Sequence, residues 1–226
     1  MRVAAHQPNY LPWTGFFHKM ANCDVFVILD NVQFPRRDFC NRTRIKSPRG
    51  AYWLTLPVVR GAFEQKINET RLFEPDTNLP RHLKTLHHFY ARAPFYNFLI
   101  QKLLPIYEQS WEYLLPFNLA LIKTLAAILG ITTPLVLASS LGEPPAGKSE
   151  RLIYLCQQLG ADTYLSGRGA VAYNDPVAFA AAGLKLEYQS FTPPVYPQGY
   201  GIFIPNLSIV DLIMYHGSAS QRFLCT

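Results

Sequence analysis

Residues 3–19, VAAHQPNYLPWTGFFHK, constrain the fold more than any other stretch, because they read as strand, broken turn and helix start in immediate succession. Val3, Ala4 and Ala5 are small and apolar, the pattern of a central strand buried on both faces, and the run stops at His6 and Gln7. Pro8 and Pro12 bar regular structure, so Asn9, Tyr10 and Trp13 occupy a loop with more polar and aromatic chemistry than a plain connection requires. Thr14 then reads as the N-cap of a helix running through GFFHKM. In an open α/β sheet, the loop leaving a strand's carboxyl end is where ligands bind.

The rest of the chain repeats that theme. Asp24 to Asp30 is a short apolar run bounded by acids, a second buried parallel strand that completes a βαβ unit. The loop from Asn31 to Pro35 leaves on the same edge and brings Asp30 and Gln33 beside the first loop. Further strand patterns fall at 134–138, 162–165 and 184–188, with helices opening near Lys148 and at Asp175-Pro176. The fold class that follows is α/β, a Rossmann-like and mostly parallel sheet with helices on both faces. Residues 36–49 carry six basic residues and one acid, and the Ser47-Pro48-Arg49-Gly50 turn makes this a β-hairpin arm. Arg42, Arg44 and Lys46 alternate onto one of its faces, either guarding an edge strand or meeting an anion. Residues 76–130 read as a helical insertion within one domain spanning 1–226.

With 226 residues, half of them hydrophobic and 16% charged, the chain is long enough for a sizeable core and too apolar for disorder. A formal charge of +6 points to an anionic partner. No apolar run reaches the roughly 18 residues of a membrane span, and a strand stands where a signal peptide's apolar core would be, so the chain reads as cytoplasmic. Cys23, Cys40, Cys156 and Cys225 are widely spaced, which fits reduced thiols better than zinc or a disulfide framework. His82 and His87 would point about 140° apart on a helix, unlike a metal-sharing pair, so no metal site is assigned.

The chemistry-bearing residues come from four separated loops. His6 is the candidate proton carrier and Asp30 the second candidate catalytic group, able to hold a ribose, an amine or Mg²⁺; a structural role for either is the alternative. Asn9, Asp30 and Gln33 would orient an acceptor, Gln7 is a further substrate- or nucleotide-binding candidate, and Tyr10 and Trp13 would stack on a base or sugar or else fill the core. Gly15, His18 and Lys19 sit at the first helix start, where His18 and Lys19 would steady phosphate if His18 turns back toward the loop; a first-turn histidine facing solvent is the equal alternative. Arg42, Lys46, Lys148 and Arg151 would form a basic rim, with Ser149 as N-cap or ligand hydroxyl. Ser166, Gly167 and Arg168 belong to a glycine-rich turn whose amides can approach an anion. No Walker, GxGxxG or HExxH sequence is present.

HQPNYLPWTGFFHKM, DVFVILDNVQF, NRTRIK, KSERL, ADTYLSG and PNLSIVDLI, in that order and across nearly the whole chain, resemble the WbqC-like proteins. That family occurs in bacterial clusters for O-antigen, the lipopolysaccharide side chain, and other surface polysaccharides, and its members have been proposed to be glycine or other amino-acid transferases that decorate a sugar. The resemblance implies an amino-acyl or amide-forming transferase acting on a sugar or sugar nucleotide, with a phosphorylated or nucleotide-linked sugar and an amino acid as small-molecule partners. ATP or another nucleotide, with or without Mg²⁺, would serve as cofactor. A looser similarity links the first loop to nucleotidylyltransferases, but Trp13-Thr14-Gly15-Phe16 lacks both histidines of their HxGH turn. A non-catalytic nucleotide-sugar-binding module is a further alternative, and nucleic-acid binding ranks last because the basic residues cluster in one short arm.

Overall fold

Alternation along the first strand decides the layering. In a computed structural model that describes residues 1–224, β1 (Arg2–His6) turns Ala4 to one face and Val3 and Ala5 to the other, and each face is covered by helices. The chain continues through α1 (Thr14–Ala21), β2 (Val25–Ile28) and a hairpin of β3 (Arg42–Ser47) and β4 (Gly50–Thr55). Three helices follow, α2 (Pro75–Tyr90), α3 (Tyr96–Tyr107) and α4 (Leu114–Ile128), then β5 (Leu135–Leu137) and α5 (Lys148–Gln158). The last part comprises β6 (Thr163–Ser166), α6 (Pro176–Ala181), β7 (Lys185–Tyr188) and α7 (Ile209–His216).

Five strands form one parallel sheet in the order β5-β2-β1-β6-β7, and β3 with β4 makes a separate antiparallel pair. The α/β, Rossmann-like reading therefore holds. Ala4 packs with Phe26, Ile28 and Leu165 beneath Phe16, Phe17 and Met20 of α1, in a core that also takes in α2, α3, α4 and α7. Val3, Ala5, Val27 and Tyr164 meet Leu155 and Cys156 of α5 and Phe179 of α6 on the other side. Burying a phenylalanine as fully as Phe16 or Phe17 contributes about 1.5–3 kcal/mol.

The hairpin is less free than its charges suggest. Ile45 and Leu54 enter the main core, the Thr43 hydroxyl donates to the Leu11 carbonyl (2.9 Å), and the Ser208 amide donates to the Arg44 carbonyl (2.8 Å). Lys46, expected on an open charged face, is buried, and its ammonium donates to the Ile202 carbonyl. The aromatic segment before α7 covers it.

Helix ends also depart from expectation. Trp13 rather than Thr14 is the N-cap of α1, because Trp13 is held in extended backbone by a bridge to Ser208 and the helix begins right behind it. Ser208-Ile-Val-Asp211 has the spacing of a capping box using Asp, and the Ser208 hydroxyl does accept from the Val210 amide, but the Asp211 carboxylate turns inward to accept from the Tyr90 and Tyr196 hydroxyls. Asp175 does cap α6, accepting from the amides of Val177 and Ala178. Gly147, not Ser149, is the N-cap residue of α5, and the Ser149 hydroxyl instead accepts from the Asp175 amide (2.9 Å).

Cys23, Cys40 and Cys156 are unpaired and buried, and burial pushes the Cys23 and Cys156 thiols up to about 12, far from reactive thiolates. Cys225 lies outside the described residues. Among those residues, no helix is long and apolar enough to cross a membrane.

Candidate functional site

β1 lies between β2 and β6, so the chain leaves β1 toward one side for β2 and β5 and later crosses to the other side for β6 and β7. Connections diverge at the carboxyl ends of β1 and β6, and such a switch point opens a crevice that regular packing cannot fill. A cleft of about 690 Å³ sits there. It brings together His6, Gln7, Asn9, Trp13, Gly15 and Lys19 from the first loop and helix with Ser166, Gly167 and Arg168 from the turn after β6.

His6 ends β1 with its ring edge-on to Trp13 and Phe16 at 5.4 and 5.1 Å. Its Nδ1 lies 3.1 Å from the Gln7 carbonyl, which can only accept, so Nδ1 carries the proton and Nε2 is the acceptor nitrogen. Burial first, and the Lys19 charge second, lower its pKa to about 3, so the imidazole is neutral at physiological pH.

Lys19 is the most unusual group in the cleft. It is 5% exposed, its ammonium donates to the Ala5 carbonyl (2.9 Å), and no carboxylate pairs with it among the described residues. Burial lowers its pKa to about 8, leaving it mostly charged at pH 7. Its place on α1, one turn after Gly15, aims a long side chain back toward the end of β1. Gly15 is required by space: a Cβ there would stand 2.8 Å from the Trp13 indole nitrogen and 3.2 Å from Phe191.

The walls include residues that sequence reasoning did not select. Gln189, just past β7, donates to the Gly15 carbonyl and to His18 Nδ1, both at 2.8 Å, tying the last strand to the first helix. Phe191 packs on the His18 ring at 4.8 Å. Tyr173 reaches the cleft from the loop before α6, and the Lys148 ammonium sits 4.8 Å from its ring centre. Asp38, the sole acid of the basic stretch 36–49, is the one carboxylate lining the cleft among the described residues. That contrast in an otherwise basic run was the available signal for Asp38. Gln189 and Phe191 carry none, since their position depends on where β7 joins the sheet.

Other candidates go elsewhere. Asp30 is buried and its carboxylate accepts from the Ser139 amide (2.9 Å) and hydroxyl (2.6 Å), which fixes the end of β5. Tyr10 is enclosed, bonded to Tyr107 (2.6 Å) and His82 (2.8 Å). His18 is buried beneath the cleft against Gln189. The Gln33 amide donates to the Phe63 carbonyl (2.6 Å), away from the switch point. The expected basic rim does not assemble: Arg42 lies over the Trp53 ring at 4.2 Å, Lys46 is buried under residue 202, and neither Lys148 nor Arg151 lines the cleft. No group of three or more His, Cys, Asp or Glu is placed to hold a metal ion among the described residues.

Comparison with known proteins adds two findings. Residues 7–223 match the WbqC-like protein family. An uncharacterized protein of Mycobacterium tuberculosis, Rv1507c, is 36% identical over 228 residues, covering 99% of this chain and 97% of its own length. No solved structure matches significantly.

Proposed function

This chain belongs to the WbqC-like protein family, and from that premise we propose that its switch-point cleft carries out amino-acyl or amide-forming transfer to a sugar or sugar nucleotide in bacterial surface-polysaccharide synthesis. The observation that carries this reading is Lys19, a buried ammonium lining a cleft without a carboxylate partner among the described residues. A protein tolerates such a charge when a ligand anion completes it. Phosphate or carboxylate fits, and the Ser166-Gly167-Arg168 turn faces the same space.

His6 supplies the second half of the chemistry. The acceptor's amine or hydroxyl gives its proton to Nε2 as it attacks the activated acyl carbon, and the leaving phosphate departs as an anion against Lys19. A free histidine with a pKa near 3 is a poor base at neutral pH. An anion at Lys19 cancels the second cause of that depression, so ligand binding itself moves His6 toward a working range. Asn9 and Gln7 orient the acceptor, and Trp13 offers an aromatic wall. A nucleotide such as ATP would supply acyl activation, and any Mg²⁺ would be held by its phosphates, with Asp38 the cleft carboxylate available to it among the described residues.

The low His6 pKa also favours a second reading, a nucleotide-sugar-binding module without turnover. A thermal-shift screen against ATP, CTP, UDP-sugars and GDP-sugars, with and without Mg²⁺, separates the cases. The expected result is a raised midpoint with at least one of them, lost in Lys19→Met and kept in Arg42→Ala. Single-turnover assays with the ligand so found should then show His6→Ala losing about 10²- to 10⁴-fold in rate while the shift remains. Binding in His6→Ala with no product from the parent protein supports the module. No shift with any ligand overturns both readings of the cleft.

A further inference from the structure

A second cavity, about 970 Å³ and larger than the cleft, is lined in part by the segment that follows β2. Its lining is apolar, with Phe34, Leu56, Val58, Val59, Phe63 and Phe73 the main contributors. Arg36, Arg37 and Arg60 are its charged residues, and no acid is among the described residues that line it. None of the three arginines has an ion-pair partner among the described residues. Phe63 is 72% exposed, Phe73 47% and Val59 41%, so large apolar groups face solvent around a cationic rim.

The wall is built rather than loose. The Gln33 side-chain amide donates to the Phe63 carbonyl (2.6 Å), the Phe34 amide donates to the Gln65 carbonyl (2.8 Å), and the Arg36 guanidinium lies 5.7 Å from the Phe63 ring centre. Arg37 is held at φ 56°, in the left-handed region that a bulky side chain rarely adopts, with the Arg42 guanidinium donating to its carbonyl.

Two ligand chemistries could use arginines beside phenylalanines: a nucleotide, or an anion with an apolar body. The two amide side chains that would read a base edge each spend a donor on the wall itself, Asn41 on the Leu56 carbonyl (2.8 Å) and Gln65 on the Glu69 carbonyl (3.3 Å). The lining is otherwise dominated by three guanidinium groups and aliphatic and aromatic surface. We propose that this cavity binds a phosphate ester of a long aliphatic chain, the phosphate on Arg36, Arg37 and Arg60 and the chain along Leu56, Phe63 and Phe73. The proposal is independent of what the switch-point cleft does. Yet the two sites share a wall: Arg36 and Arg37 line the cavity, and the next two residues, Asp38 and Phe39, line the cleft. A carrier whose phosphate sits on the arginines holds its head group beside that cleft.

The test is isothermal titration of the full chain with decyl phosphate below its micelle concentration, against inorganic phosphate and decyl maltoside. Decyl phosphate should bind about tenfold or more tighter than either control, and Arg36→Ala with Arg60→Ala should weaken it by a further factor of about ten or more. All of these side chains are exposed, so an unchanged thermal midpoint confirms that the variant folds. Phe63→Ser should weaken decyl phosphate and leave inorganic phosphate unaffected. Lys19→Met should leave decyl phosphate binding intact, which keeps this test separate from that of the cleft. Co-sedimentation with phosphatidylcholine vesicles containing phosphatidic acid then identifies the source: capture supports a bilayer lipid, and retained binding of dissolved decyl phosphate without capture supports a soluble carrier. Equal affinity for decyl maltoside, or undiminished binding in the double arginine variant, overturns the proposal.

Discussion

Two lysines are buried in this molecule, and their surroundings differ in one respect. Lys46, on the hairpin, is 1% exposed; its backbone amide donates to the Tyr90 hydroxyl (2.8 Å), which donates to Asp211 (2.7 Å), whose other oxygen accepts from Tyr196 (3.0 Å). The Lys46 charge helps to hold down an Asp211 carboxyl that burial raises. Lys19, 5% exposed on α1, has a backbone carbonyl and a cleft. A balanced buried charge reads as architecture, whereas one left for something outside the chain reads as a binding site.

The largest effect expected from this contrast is at Asp211. Asp211→Ala removes the acceptor of two buried hydroxyls and the charge opposing Lys46, so urea denaturation should show a loss of about 3–5 kcal/mol. A loss under about 1 kcal/mol would mean that Lys46 is balanced elsewhere and would dissolve the comparison.

Lys19 should behave in the opposite way. A depression from 10.5 to about 8 means that keeping Lys19 charged inside the fold costs about 3 kcal/mol below pH 8. Lys19→Met should therefore leave stability unchanged or raise it by up to about 3 kcal/mol at pH 7, the lost bond to the Ala5 carbonyl offsetting part of the gain. A clear destabilisation would show that the charge is compensated after all.

The pH dependence sharpens the same point. Between about pH 8 and 10.5 the unfolded chain holds a proton on Lys19 that the folded chain has released, so the parent protein gains stability relative to Lys19→Met as pH rises. The stability difference between the two, followed by denaturation at several pH values, should be constant below pH 8 and shrink across that window. A difference that stays flat to pH 10.5 would place the folded pKa at its ordinary value.

Much of this was legible in the residues. The parallel sheet followed from short apolar runs with polar residues at their carboxyl ends, and the convergence of the first loop with the Ser166-Gly167 turn followed from strand-end logic. Direction was not legible. Asp30 and His6 both end buried strands, yet one turns sideways to Ser139 while the other lines the cleft, a choice set by how the next strand packs. The basic rim failed for a related reason. Alternation gives a face of the hairpin but not what covers it, and here the segment before α7 folds over Lys46.

Tyr10 is the finest test of that distinction, because it stands in the same loop as Asn9 and Trp13 and is chemically suited to stacking on a ligand. His82 Nε2 lies 3.0 Å from the Thr55 carbonyl and so carries the proton, which makes Nδ1 an acceptor for the Tyr10 hydroxyl; Tyr107 in turn donates to Tyr10. Burial lowers the His82 pKa to about 4, in keeping with that neutral tautomer. Tyr10→Phe keeps the ring and its stacking on Phe117 but leaves His82 Nδ1 without its donor, at a cost of about 1–2 kcal/mol by urea denaturation. Ligand-induced thermal shifts should be unchanged, because this hydroxyl serves the core. If instead Tyr10→Phe lost ligand binding at unaltered stability, the loop would be functional along its whole length, and the division between balanced and waiting polar groups would have to be redrawn one residue deeper than the cleft wall.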